Sequence, residues 1–528
     1  MTAGRELEFA SAVLLLKSGD SVAVARRALN TGDVLVGDGI TVTVRAEVPA
    51  GHKVAVRAAR TGDEIRKYGQ MIGFASQEIA TGDWVHLHNL SFARVEEAAR
   101  AEPDYAWGAD ADRCRISPAV EQRTFPGYLR PDGSVGTRNY VAVISSVNCS
   151  ANSAIGIAER FRGAALLDFP GVDGVVPFTH KSGCGQHLGG ADYKQLQRTL
   201  AGIATHPNVS GYLFTGLGCE DNQISALASN TGLIRAGELG THPQRPRGIV
   251  IQEEGGVART IARGAEALEP LLRQAAAAVR TTQPAAALVI GTNCGGSDGA
   301  SGITANPALG HAGDLFVAQG SGWVLAETSE TYGAEHLLTR RAISPAVGRK
   351  LVELMRWWEW YTGTFGATLD ANPAPGNKEG GLTTIYEKSL GAVAKAGSSP
   401  LMEVYGYGER ILQHGLTFMD TPGHDPVSVT GLAAGGCSLI AFTTGRGSCL
   451  GFKPCPVLKI STTTSLYERM PNDMDLDAGV IFNGVAVEDV GQQIFERLLE
   501  VAGGARTLSE AQGFGEAEFA PWLLGPVM

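Results

Sequence analysis

Four times along the chain a short apolar run breaks abruptly into small and polar residues, with a cysteine close by. Residues 285–290 (AAALVI) lead into 291–310, GTNCGGSDGASGITANPALG. Residues 140–147 end at Asn148-Cys149-Ser150, 172–178 at THKSGCG (179–185), and 211–215 at Gly216-Leu217-Gly218-Cys219-Glu220. Short runs rich in Val, Ile and Leu fit strands buried on both faces, as in a parallel sheet. Loops so poor in bulky side chains let backbone approach a ligand, with hydroxyls and amides turned inward. In open α/β sheets ligands lie beyond the carboxyl ends of the strands. Four cysteines are therefore expected at such ends, and the strand before the longest loop is expected to stop at Gly291.

A chain of 528 residues exceeds one hydrophobic core and divides into domains. Turn signals at short spacing over the first 95 residues predict a small all-β domain. Three of them share Thr-Gly-Asp (31–33, 61–63, 81–83), which reads as a repeated hairpin device. Residues 96–123 are charged, alanine-rich and proline-punctuated, and read as a linker. From 124 to 285 apolar runs alternate with helical stretches at 151–161, 192–204 and 255–279, and a second such unit fills 286–528. The expected fold is α/β: a small all-β amino-terminal domain, then two consecutive Rossmann-like parallel-sheet domains. Residues 487–502 form an amphipathic helix with Val490, Ile494, Leu498 and Val501 on one face.

The net charge of −10, without a basic stretch, argues against nucleic-acid or anionic-membrane partners. No apolar run reaches the roughly 18 residues of a membrane helix. The start lacks the basic opening of a secretory signal, so a cytoplasmic protein with reduced cysteines is expected. No C-x-x-C pair, P-loop or G-x-G-x-x-G after a strand is present.

Several residues carry chemistry in their pattern. His86 and His88, two apart in WVHLHN, share a face if 84–88 is a strand. There they can chelate Fe, Mn or Zn, or simply face solvent, and His52 on a Pro-Ala-Gly turn can join them. His180, beside a glycine loop, is either an acid or base or a polar residue opening a helix. Lys378, in GNKEGGLTT, can bind a carboxylate or take a proton, or is a solvated loop lysine. Arg446, at a strand-to-glycine junction, suits the two parallel hydrogen bonds of carboxylate recognition.

With these residues in view, the chain resembles the altronate/galactarate dehydratase family over essentially its full length. The carriers include GHKVA (51–55), VHLHNL (85–90), GYLRPDGSVGTRNY (127–140), SVNCSA (146–151), GLGCE (216–220) and CGGSDGASGITANPALG (294–310). GNKEGGLTTIYEKSLG (376–391), MDTPGHDPVSVTG (419–431) and FTTGRGS (442–448) complete the set. The altronate branch is the closer one, although His424 stands where a tyrosine is more typical. The resemblance implies that the β domain is of SAF type. It also implies a hydro-lyase needing Fe²⁺ or a similar ion such as Mn²⁺, which turns a sugar acid into a 2-keto-3-deoxy acid. On that footing His52, His86 and His88 are expected at the metal, and His180 or Lys378 in proton transfer. Arg446 and Lys388 would hold the anionic end, while Asn293, Ser297, Asp298 and Thr304 bond the hydroxyls. Two alternatives stay open: a lyase with an iron–sulfur cluster on Cys149, Cys184, Cys219 and Cys294, or a sugar-acid sensor without turnover. The expected partner is a small-molecule sugar acid, with a homo-oligomer left open.

Overall fold

A computed structural model describes residues 4–37, 39–92, 105–233 and 248–524. The amino-terminal region is built from short strands in three small sheets. Each Thr-Gly-Asp turn closes in the same way. The aspartate accepts the backbone N–H three residues back, Asn30 to Asp33 at 2.9 Å, Arg60 to Asp63 at 2.8 Å and Ala80 to Asp83 at 2.7 Å. The repeated device in the sequence is thus a repeated side-chain-capped turn.

The next unit holds a parallel four-stranded sheet in the order Gly174–Phe178, Tyr140–Ser145, Val209–Gly216, Gly248–Val250. Helices Ala151–Glu159 and Val257–Ala276 pack together against this sheet, while Ala191–Ala204 turns toward the last unit. An antiparallel pair not foreseen from sequence, Thr124–Leu129 with Thr281–Pro284, brings the chain's entry to and exit from this sheet side by side. Of the segment read as a linker, residues 96–104 lie outside the described residues. Residues 105–123 lie along the last unit, where Asp110 pairs with Arg340 at 2.7 Å and the Ala119 N–H donates to the Ala318 carbonyl.

That last unit is a seven-stranded, all-parallel sheet with Val289–Cys294 at its centre. Gly322–Leu325, Gly415–Met419 and Leu401–Tyr405 lie to one side, and Leu439–Thr444, Val457–Ser461 and Leu476–Asp477 to the other. The central strand does not stop at Gly291. It continues through Thr292 and Asn293 to Cys294, because Leu439–Thr444 stays paired with it that far and Thr292 Oγ1 donates to the Val324 carbonyl. Helix Val487–Ala502 buries Val490, Ile494, Leu498 and Val501 against helix Ala305–Ala318, each burial being worth about 1.5–3 kcal/mol. Among the described residues no helix is long and apolar enough to cross a membrane.

The β region is seated on the last unit by buried charge. Glu387, on helix Ile385–Val393, accepts from Lys53 at 2.8 Å and Lys67 at 2.9 Å, and all three side chains are at most 1% exposed. Lys53 also donates to the Gly381 carbonyl, and Thr383 donates twice to Glu387. Backbone contact completes the seat. A Cβ on Gly299 would lie 2.2 Å from the Gly51 carbonyl oxygen, so this glycine of the polar loop admits the β region rather than a ligand.

Burial works against ionisation of Glu387, yet Lys53 and Lys67 outweigh it and hold its pKa well below the glutamate range. A depressed folded value means stability present above the unfolded pKa and lost as pH falls toward the folded one. Glu387→Gln should leave two lysines without their carboxylate and cost about 3–5 kcal/mol at neutral pH. Melting curves of the two proteins should converge as pH drops below about 4; a gap that does not change with pH would refute the assignment.

Candidate active site

Four elements converge beyond the carboxyl end of the central strand. Cys294 ends that strand, and Glu327 and Glu330 follow strand Gly322–Leu325. Asp425 opens helix Asp425–Gly435, beyond strand Gly415–Met419, and Lys388 comes from helix Ile385–Val393. Strand order reverses around this point, which is where an open sheet leaves a crevice. The crevice is a cavity of about 280 Å³ lined by Cys294, Glu330, Asn372, Lys388, His424 and Asp425. Gly295 is small for a reason visible here, since a Cβ would lie 2.2 Å from Asp425 Oδ2.

The donors are close and buried. One ligand atom each from Cys294, Glu327 and Glu330 lie within 4.8 Å of one another. Lys395 Nζ donates to Cys294 Sγ at 2.8 Å and to Glu327 Oε2 at 2.5 Å, and the Cys294 N–H also donates to Glu327 Oε2. Lys388 Nζ donates to Glu330 Oε1 at 2.7 Å and to Asn372 Oδ1 at 2.8 Å. Glu327 holds a left-handed backbone, φ 68°, which costs a non-glycine residue about 1–3 kcal/mol.

The electrostatics are incomplete in a specific way. Burial pushes the Cys294 thiol up, with Glu327 adding to it. Burial, then Glu327 and Glu330, push Asp425 up to about 8. Burial also works to raise Glu330, but Lys388 and Lys395 outweigh it and keep it ionised. Glu327 Oε1 and Asn293 Oδ1 are buried with no hydrogen-bond partner. Orphaned acceptors beside a thiol and acids held neutral are what a cation would satisfy, by ionising its ligands as it binds. One thiol with carboxylates suits a borderline metal such as iron or zinc rather than a purely oxygen-seeking one.

The residues singled out from sequence separate into groups. Asn293 and Lys388 belong to the cavity region, where Asn293 Nδ2 donates to Asp425. Ser297 is buried, its carbonyl accepting from Asn377, which lines the cavity. Asp298 accepts from Ser301 and Thr462, and Thr304 donates to the Thr462 carbonyl, so both tie the loop together. Asp298 and Arg446 line a second cavity of about 440 Å³ between the β region and the last unit, with Arg26 and Arg469. Arg446 is half exposed and reaches Glu379 at 3.4 Å.

Two of the histidines, His52 and His86, take up docking roles. His52 accepts from Trp84 Nε1 through Nδ1 and bonds the Glu379 carbonyl through Nε2, so both ring nitrogens are engaged. His86 Nε2 bonds the Lys378 carbonyl at 2.9 Å. His88 is exposed and packs on Trp84. The strand expected over 84–88 is only Trp84–Val85. Asn89 closes a turn after it, accepting the His86 N–H and donating to the Trp84 carbonyl, so His86 and His88 do not share a strand face. Burial lowers the His52 pKa to about 4. His180 sits in the four-stranded unit, buried, with Nε2 on the Ser145 carbonyl and Nδ1 accepting from Ser182 N–H, and burial lowers its pKa to about 4. Of the four cysteines, Cys294 is buried under Lys395, while Cys149, Cys184 and Cys219 are exposed at the other sheet. Glu327, Glu330, Lys395 and Asp425 escaped the sequence reading. The signal was there in acids following the apolar run WVLA, but acids after a strand usually mark a solvated turn.

Comparison with known proteins covers the same three regions. Residues 11–93 match the altronate/galactarate dehydratase SAF domain, 127–276 the second domain of D-galactarate dehydratase/altronate hydrolase, and 285–527 the D-galactarate/altronate dehydratase C-terminal domain. Altronate dehydratase of Bacillus subtilis is 35% identical over 94% of this chain and 96% of its own. Altronate dehydratase of Escherichia coli is 35% identical with the same coverage. Galactarate dehydratase (L-threo-forming) of Escherichia coli is 37% identical over 88% of each chain. From its amino-terminal β region to its seven-stranded sheet, the chain belongs to the altronate/galactarate dehydratase family.

Proposed function

We propose that this protein is a hydro-lyase that removes water from a sugar acid, an aldonate or aldarate of the altronate kind, to give a 2-keto-3-deoxy acid. The observation that carries the site assignment is the buried Cys294–Glu327–Glu330 group, with unsatisfied acceptors, on the wall of a polar cavity. These three residues would hold the divalent cation, iron being favoured over manganese by the thiol. His52 and His86 are occupied in seating the β region. When bound, the cation supplies charge stabilisation for the substrate carboxylate as its α C–H bond breaks.

The chain's own residues supply the rest. Lys388, fixed by Glu330 and Asn372, presents positive charge to the anionic end of the substrate. Arg446, loosely held by Glu379, can turn to a second anionic or hydroxyl group. His424, exposed at the cavity and at the N-cap of helix Asp425–Gly435, would take the C2 proton. The C3 hydroxyl leaves with a proton as water, and the enol that remains tautomerises to the keto acid. His180 and Lys378 were the sequence candidates for the proton step. His180 has both ring nitrogens bonded, and the cavity is lined by His424 but not by Lys378, so His424 is preferred.

Incubation with ferrous iron, reductant and a panel of aldonates and aldarates including D-altronate should give a product that reacts with semicarbazide. A blank across the panel would sink the reaction class. Glu327→Gln and Cys294→Ser should lower bound metal and activity together, whereas His88→Ala should leave both near wild type. Metal content that follows His88 instead would return the ion to the β region. His424→Asn should cost roughly 10²–10⁴-fold in kcat with metal content unchanged, and His424→Tyr should recover part of the loss. Wild-type kcat in His424→Asn would remove it from the proton step.

A further inference from the structure

Cys149, Cys184 and Cys219 have no part in the site above, yet the four-stranded sheet brings them to one place. Strands Tyr140–Ser145, Gly174–Phe178 and Val209–Gly216 are adjacent and parallel, with Ile144 level with both Phe178 and Phe214. Their carboxyl ends are therefore abreast. The cysteines follow the strand ends within three to six residues, Cys149 in a 3-10 turn and the other two in loops; each is exposed and none is in a disulfide.

Hydrogen bonds stitch these loops together beside each thiol. Asn148 N–H, next to Cys149, donates to the Ser182 carbonyl at 2.9 Å. Asn222 N–H donates to the carbonyl of Gly183, next to Cys184, at 3.0 Å, and Asn222 Nδ2 reaches the Ser146 carbonyl at 2.8 Å. Glu220, next to Cys219, accepts from Ser146 Oγ at 2.8 Å. Gly183, at φ +99°, lies so close to the first loop that a Cβ would be 2.4 Å from the Ser146 carbonyl oxygen. That close fit holds the Cys184 loop against the Cys149 loop.

The spacing argues against a single shared ion. Among the described residues only Cys294, Glu327 and Glu330 form a donor group with every atom within 4.8 Å of the others, so at least one pair of these three thiols stands farther apart than that. A single tetrahedral ion with metal–sulfur bonds of about 2.3 Å pulls its thiolates closer than this. A polynuclear cluster bonds each thiolate to a different iron and tolerates the wider triangle, and soft thiolates favour it. We propose that Cys149, Cys184 and Cys219 are a three-thiolate site for a cubane iron–sulfur cluster, whose fourth iron has no protein thiolate.

The test is anaerobic reconstitution of the full chain with ferrous iron and sulfide. The expected result is a broad visible absorption band with about four iron and four acid-labile sulfide per chain, beyond any ion at Cys294. Cys149→Ala, Cys184→Ala and Cys219→Ala should each abolish the band and the sulfide. Melting of the metal-free chains should not change, since the thiols are exposed. Cys449→Ala, another exposed thiol, and Cys294→Ala should keep the cluster, which separates this site from the one proposed for the dehydration. A colourless product, iron without sulfide, three thiols that stay freely titratable or pair as a disulfide, or a band that survives the three alanine variants would overturn the proposal.

Discussion

The buried carboxylate of Glu387 decides how this molecule is put together. Two lysines from the β region meet it with no solvent in between, and neither could be buried alone at tolerable cost. A mixed positive and negative contact of this kind is unforgiving of misplacement. A shift of one residue in strand Lys53–Ala55 would turn Lys53 to the opposite face and leave the carboxylate half paired. The glycines around it, Gly299 and Gly381, are tolerances for this fit, since a Cβ on either would lie 2.2 or 2.8 Å from the Gly51 carbonyl oxygen.

Helix Ile385–Val393 places the docking carboxylate and the cavity's positive charge on consecutive residues. Glu387 points to the β region, and Lys388, about 100° round the helix, points to Glu330 and the cavity. Lys395, just past the helix, reaches Cys294 and Glu327. The helix thus fixes the positive charge at the cavity with the same rigid body that seats the β region. Any tilt that loosens Lys53 also moves Lys388 off Glu330, so the seat and the electrostatics of the cavity are mechanically one thing.

Much of the fold was legible because it rests on hydrophobic pattern. Helix Val487–Ala502 and strand Leu439–Thr444 lie where the apolar spacing puts them, since burial alone decides them. What escaped were places where polar residues are buried by pairing. Strand Val289–Cys294 outruns its apolar run because Thr292 and Asn293 are held by neighbouring strands, a long-range fact with no local mark. The strand over His86 and His88 failed for the opposite reason, as one local side chain, Asn89, folds the backbone into a turn. Asn293 and Lys388, expected from the family resemblance to touch substrate, lie in the cavity region. Glu327 and Glu330 were not foreseen, because their burial depends on two lysines more than 50 residues away in sequence. The glycine-rich loop was read as a ligand cradle; part of it is spent on receiving Gly51 instead.

The seat built around Glu387 also changes what the covalent connection to the β region has to do. Recognition is carried by Lys53, Lys67, His52 and His86 on one side and by Glu387, Gly381, Glu379 and Lys378 on the other. The Thr384 hydroxyl on the Ile72 carbonyl and the close fit of Gly299 to Gly51 add to that orientation. A covalent connection adds to this by raising the effective concentration of one surface at the other. A β region supplied as a separate polypeptide would dock in the same register, only less often, and would fill the same seat once its concentration matched what the covalent connection provides.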